Sequence, residues 1–175
     1  PNLYVIDKLS AFSVYHGIEP IVVFSKSDLS DTSRYEEIYS KSKIKTVCCS
    51  SLNNEGINEI IKLIDGNVCA FTGNSGVGKS SLLNFMFPEL ELKTAEVSDK
   101  LGRGRHTTRH VELYSVCDGY VADTPGFSSL DMEKVQWIYK ENLVFDFPEF
   151  MPFVKDCRFA DCHHLGEKDC AVAQA

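Results

Sequence analysis

Two nucleotide-binding signatures stand in an inverted order along this chain. Gly73-Asn74-Ser75-Gly76-Val77-Gly78-Lys79-Ser80 fits the phosphate-loop pattern G-x-x-x-x-G-K-[ST] in full. Ser25-Lys26-Ser27-Asp28, close to the N/T-K-x-D pattern that reads a guanine base, precedes that loop, and Asp123-Thr124-Pro125-Gly126 follows it. Guanine-nucleotide switch proteins mostly place the phosphate loop first and the base reader last. The order here describes the same sheet with its ends joined and reopened elsewhere.

Each motif follows an apolar run. Ile21-Val22-Val23-Phe24 leads into Ser25, Thr46-Val47-Cys48-Cys49 into Ser50-Ser51, Val68-Cys69-Ala70-Phe71 into the phosphate loop, and Tyr120-Val121-Ala122 into Asp123. Unbroken apolar runs are what parallel strands covered on both faces require. Helical spacing lies between them, at Tyr35, Ile38 and Tyr39 and at Ile57, Ile60, Ile61 and Ile64. Strands alternating with helices predict an α/β fold, a doubly wound sheet of the P-loop NTPase type, with its ligand beyond the carboxyl ends of the strands. Residues 98–110 lack periodicity and are expected to be mobile, and a further helix is expected over Leu130 to Tyr139. After about residue 140, Phe and Pro interleave in Phe145-Asp146-Phe147-Pro148-Glu149-Phe150. The expected domains are therefore 1–140, the nucleotide domain, and 141–175, a small second module.

The motifs carry definite chemistry. Backbone N–H groups of Gly73, Asn74, Ser75, Gly76, Val77 and Gly78 would converge on phosphate oxygens, with Ser81 in the first turn of the following helix. Lys79 would neutralise the β and γ phosphates, and the Ser80 hydroxyl would bind Mg²⁺. Asp123 would hold a magnesium-bound water, and the Gly126 N–H would meet the γ-phosphate. Asp28 can accept from both N1–H and the 2-amino group of guanine, which adenine cannot supply. Ser25 stands where Asn is usual, so one hydrogen bond near the base is open to question. Ser50 and Ser51 fit the loop that supports the base.

A formal charge of −7 argues against a general nucleic-acid binder. No apolar run of spanning length occurs, and the chain opens at Pro1 rather than Met, so a cytoplasmic protein, part of a longer one, is expected. Seven cysteines, an odd number, argue against a disulfide framework. Cys157, Cys162, His164 and Cys170 fall within 14 residues and form a closed Cys₃His set of the kind structural zinc sites use; His163 is the rival imidazole.

Together these residues resemble the circularly permuted GTPases of the RsgA/YjeQ type, which depend on the small ribosomal subunit. The resemblance rests on the permuted order, Gly73 to Ser81, Gly104-Arg105-His106-Thr107-Thr108, Asp123-Thr124-Pro125-Gly126-Phe127, and the cysteine cluster with Cys170-Ala171-Val172. It implies GTP and GDP as ligands, Mg²⁺, structural Zn²⁺, and a late assembly role on the small ribosomal subunit and its rRNA, with hydrolysis stimulated there. It also implies an N-terminal OB-fold domain that this sequence is expected to lack. A monomer without membrane contact is expected. Phe127 stands where Ras-like proteins orient the attacking water with Gln, so His106 is expected to take that work, and Thr107 or Thr108 to complete the magnesium shell. The alternative is a nucleotide-gated rRNA or protein binding module whose hydrolysis is incidental.

Overall fold

The computed structural model describes residues 1–74, 76–92, 112–123, 139 and 142–175. In chain order the longer elements are α1 (Leu3–Tyr15), β1 (Ile21–Ser25), α2 (Ser33–Lys41), β2 (Lys45–Cys49), α3 (Ile57–Ile64), β3 (Val68–Phe71), α4 (Lys79–Met86), β4 (Glu112–Val116) and β5 (Gly119–Asp123). Every apolar run singled out in the sequence is a strand. The helix expected over Leu130 to Tyr139 and the segment 98–110 lie outside the described residues, Tyr139 excepted.

Strands β1 and β2 pair with each other, and β3, β5 and β4 form a three-stranded sheet in that order. Within it β3 and β5 run parallel, with Val68 beside Tyr120 and Phe71 beside Asp123. Strand β4 is antiparallel to β5, turning back through Cys117 and Asp118. The unbroken apolar run of β3 predicted cover on both faces. The structure corrects this: β3 is an edge of its sheet, Val68 is 74% exposed and only Cys69 and Phe71 are half-buried.

The chain divides into two compact units. One comprises Pro1–Val23, Asp31–Thr46 and Gln136–Ala175; the other comprises Phe24–Ser30 and Val47–Val135. In the first, α1 ends in a Schellman closure: the Gly17 N–H donates to Val14 O at 2.9 Å and the Ile18 N–H to Ser13 O at 2.8 Å. Gly17 takes φ +69, and Pro20 bars the helix from continuing. Helix α1 lies against the 3₁₀ turn Leu143–Asp146, and the Tyr39 hydroxyl of α2 donates to Asp7 Oδ1 at 2.8 Å. Burial and the Asp7 carboxylate both push the Tyr39 phenol upward.

In the second unit α3 buries Ile57, Ile60 and Ile64, the i, i+3, i+7 face of an amphipathic helix. Its far end fixes the start of β5. A Cβ on Gly119 would stand 2.4 Å from Asn67 O and 2.5 Å from Ile64 O, so only glycine lets the strand approach. Helix α4 buries Leu82, Leu83 and Met86 in the same unit. No helix among the described residues is long and apolar enough to cross a membrane.

Candidate functional site

The phosphate loop leaves the carboxyl end of β3 and enters α4 directly. Gly73 (φ +148), Gly76 (φ +80) and Gly78 (φ +98) hold backbone conformations that side chains with a Cβ resist, and these glycines turn the chain sharply into the helix. Gly78 is the N-cap residue of α4 and brings no side chain to cover its first N–H groups. Lys79 folds back so that Nζ donates to Gly73 O at 2.7 Å and Asn74 O at 3.0 Å. Ser80 is half-buried and Ser81 exposed in the first turn of α4. An anion at this helix start would meet backbone N–H groups, the positive helix end and an ammonium.

The tetrapeptide Ser25-Lys26-Ser27-Asp28 lies against this loop although it is distant in sequence. The Ser25 hydroxyl donates to Val77 O at 3.1 Å, across 52 residues. Lys26, in left-handed backbone (φ 63), places Cε 3.8 Å from where a Cβ on Gly78 would stand. The Ser27 N–H donates to Cys49 O at 3.1 Å, tying the tetrapeptide to the end of β2. Asp28 is exposed, and the Ser50 hydroxyl donates to its Oδ1 at 2.5 Å. That hydroxyl is fully buried and also accepts from the Leu52 and Asn53 N–H groups at 3.2 and 3.3 Å. One carboxylate oxygen of Asp28 is therefore held from behind, while Ser51 is exposed beside Ser50.

Residues that the motifs alone did not mark complete this support. Ser50 and Glu55 exchange backbone hydrogen bonds at 3.0 and 3.1 Å, closing the loop, and Ser27 Oγ donates to Glu55 Oε2 at 3.5 Å. Gly56 follows at φ +69, and a Cβ there would stand 2.0 Å from Cys48 O. The Asn53-Asn54-Glu55-Gly56 run ahead of an apolar helix was the available sequence signal.

Asp123 ends β5 beside Phe71, which ends β3 just ahead of the phosphate loop. Ser75, His106, Thr107, Thr108 and Gly126 lie outside the described residues.

The cysteine cluster comes together as expected. Cys157 Sγ, Cys162 Sγ, His164 and Cys170 Sγ place one ligand atom each within 4.8 Å of all the others. His164 Nδ1 is 3.5 Å from Cys157 Sγ and 3.4 Å from Cys170 Sγ, and the two sulfurs are 4.0 Å apart. A tetrahedral zinc with bonds of about 2.0–2.3 Å needs ligand separations of roughly 3.5–3.8 Å, so this donor set fits. His163 is not in the cluster. Glu167 explains the choice: its carboxylate accepts the His163 N–H at 2.9 Å and the Leu165 N–H at 2.7 Å, fixing the turn between them, with His164 at φ +60. Its own N–H and that of His163 hold the Glu167 carboxyl below its ordinary value. The Val172 and Ala171 N–H groups likewise lower the Cys157 thiol, whereas burial pushes Cys162 up to about 11. With four protein ligands the set is closed, the arrangement of a structural rather than a catalytic site.

Comparison with known proteins agrees with this geometry. The family model described as RsgA GTPase matches residues 1–133. The small ribosomal subunit biogenesis GTPase RsgA of Bacillus cereus (strain ATCC 10987 / NRS 248) is 44% identical over 180 residues, covering 99% of this chain and 60% of that protein. The protein of the same name from Geobacillus thermodenitrificans is 40% identical, covering 98% of this chain and 59% of its own length. Among solved structures, YjeQ from Thermotoga maritima superposes with a TM-score of 0.73 at 31% identity, over 100% of this chain and 59% of that one. YloQ, described as a circularly permuted GTPase, gives 0.70 at 33% identity, over 97% of this chain and 54% of its own. The chain thus spans about 60% of the length of the curated relatives it matches. On the permuted motif order, the α/β architecture and these similarities, the chain belongs to the RsgA GTPase family.

Proposed function

We propose that this chain binds guanine nucleotide and hydrolyses GTP to GDP and phosphate, as the nucleotide-dependent part of a cytoplasmic, monomeric assembly factor for the small ribosomal subunit. One observation carries the reading. Ser25 bonds to Val77 while Ser50 holds Asp28, so a base reader and a phosphate loop 52 residues apart share one cradle. Asp28 would accept from N1–H and the 2-amino group of guanine. Over adenine that carboxylate would stay unpaired, a loss of a few kcal/mol and on the order of 100-fold in affinity.

Loop amides from Gly73 to Gly78 would cradle the phosphates, with Lys79 on the β and γ oxygens and the Gly126 N–H on the γ-phosphate. Magnesium, held by Ser80, by Thr107 or Thr108 and through water by Asp123, would supply charge neutralisation at the transferred phosphate. His106 would orient the attacking water, the work that Phe127 cannot do. Cys157, Cys162, His164 and Cys170 would hold zinc that folds their segment. The relatives named for small-subunit biogenesis support the ribosomal partner; rRNA would be the contact.

The test is turnover of GTP with and without purified small subunits, for wild type and His106→Ala. Stimulation that His106→Ala lowers at nearly unchanged nucleotide affinity is expected. Binding without stimulation would favour the reading that Phe127 suggests, a nucleotide-gated binding module with incidental hydrolysis.

A further inference from the structure

Position 25 is where Ser25-Lys26-Ser27-Asp28 departs from the N/T-K-x-D pattern. A serine hydroxyl carries a single proton. Ser25 gives that proton to Val77 O of the phosphate loop at 3.1 Å, so only oxygen lone pairs remain to face anything else. An asparagine in its place would bring two amide protons, one for the carbonyl and one to spare.

The neighbouring side-chain donors are committed as well. Ser27 gives its N–H to Cys49 O at 3.1 Å and its hydroxyl to Glu55 Oε2 at 3.5 Å. The Ser50 hydroxyl donates to Asp28 Oδ1. Lys26 places Cε 3.8 Å from where a Cβ on Gly78 would stand, so its stem lies over the phosphate loop.

Guanine presents two kinds of edge to such a wall. N1–H and the 2-amino group are donors, suited to the Asp28 carboxylate, whereas O6 and N7 are acceptors and need a donor. O6 adjoins N1 and so falls to the Ser50–Ser51 loop that holds Asp28. N7 lies further round the ring, toward the ribose and phosphates, which is the side where Ser25 is tied to Val77.

We infer that Ser25 is a strap between the tetrapeptide and the phosphate loop rather than a base contact, and that N7 of the purine goes unread. The chain therefore selects guanine by its N1 and 2-amino edge and accepts nucleotides in which carbon replaces N7. This inference rests on the guanine reading proposed above. Facing lone pairs of Ser25 Oγ, N7 would give up its water and gain no donor, a loss that a C–H at the same place does not suffer.

Displacement of a fluorescent guanine nucleotide from the whole chain by GTP, 7-deaza-GTP and ATP, with Mg²⁺ present, tests this. The 7-deaza nucleotide is expected to displace the probe at least as well as GTP, and ATP far less well. A preference for GTP over 7-deaza-GTP of more than about 2-fold would overturn the inference, and that comparison needs no variant. Ser25→Asn should tighten GTP by about 5-fold and leave 7-deaza-GTP unchanged, because the spare amide proton would then meet N7. Ser25→Ala loses the strap and should weaken both nucleotides by the same factor; a loss confined to GTP would show Ser25 touching the base and would also overturn it. Equal displacement by ATP and GTP would instead sink the guanine reading on which the inference rests, a result distinct from unequal displacement by GTP and 7-deaza-GTP.

Discussion

Replacing Gly56 by alanine isolates what the turn beneath the base reader contributes. Two terms add. An L-residue at φ +69 costs roughly 1–2 kcal/mol in left-handed backbone. The new Cβ would also sit 2.0 Å from Cys48 O, and that carbonyl must retreat by about 1 Å, an overpacking cost of roughly 1–3 kcal/mol. Gly66 is the matched control at the other end of α3. Its φ is +72 and a Cβ there meets nothing within 4 Å, so Gly66→Ala carries the first term alone. Gly56→Ala should therefore lose about 3–4 kcal/mol and Gly66→Ala about 1.5 kcal/mol. For a chain of this size the midpoints should fall by roughly 10 °C and 4 °C. Paired urea and thermal melts read the difference. Because the Ser50–Glu55 closure beside Gly56 positions the hydroxyl that holds Asp28, Gly56→Ala should also weaken guanine-nucleotide binding, and Gly66→Ala should not. Equal losses of stability in the two variants would refute the contact term and the positioning argument built on it.

Other outcomes follow from the same geometry. Ser25→Ala removes the hydroxyl bond to Val77 O, so nucleotide affinity should fall by about 1 kcal/mol, roughly 5-fold, and a change below 2-fold would show the strap to be idle. Chelation by EDTA should abolish amide protection around residues 157–170 while leaving the buried Leu82 and Leu83 turn of α4 protected. Cys170→Ser should cut bound zinc from one equivalent to near none, whereas Cys117→Ser, at an exposed cysteine outside the cluster, should leave it unchanged. Burial raises the Asp146 carboxyl above its ordinary 3.8, so its protonated form favours the fold at low pH and that contribution is lost as pH climbs through the raised value. Asp146→Asn should consequently gain stability over wild type as pH rises from about 4 toward 7; a constant difference in melting temperature across that range would count against the buried carboxyl.

Much of the fold was legible because burial on continuous apolar runs leaves a mark that survives without an alignment. The strands at 21–24, 46–49, 68–71 and 120–122 were read that way, as was the isoleucine face of α3. Strand β4 was not. Its sequence Glu-Leu-Tyr-Ser-Val makes it an edge with Leu113 more than half exposed, and only Asp118-Gly119 hinted at the hairpin. Helix α1 also escaped notice, since it buries only Ser10 and Ala11, although Gly17 and Pro20 marked its end. The ligand cluster was readable from spacing, but the choice of His164 over His163 depends on Glu167 gripping the turn. The role of Ser25 was unreadable for a different reason: its partner is a backbone carbonyl, which no side-chain motif encodes.

The most direct test of the central claim is competition of unlabelled GTP, GDP, ATP and ADP against a fluorescent guanine nucleotide in the presence of Mg²⁺. The account predicts that GTP and GDP displace the probe on the order of 100-fold more effectively than ATP and ADP, because Asp28, held by Ser50, reads the guanine edge. Equal displacement by adenine nucleotides would contradict it, leaving a phosphate loop with no base reader.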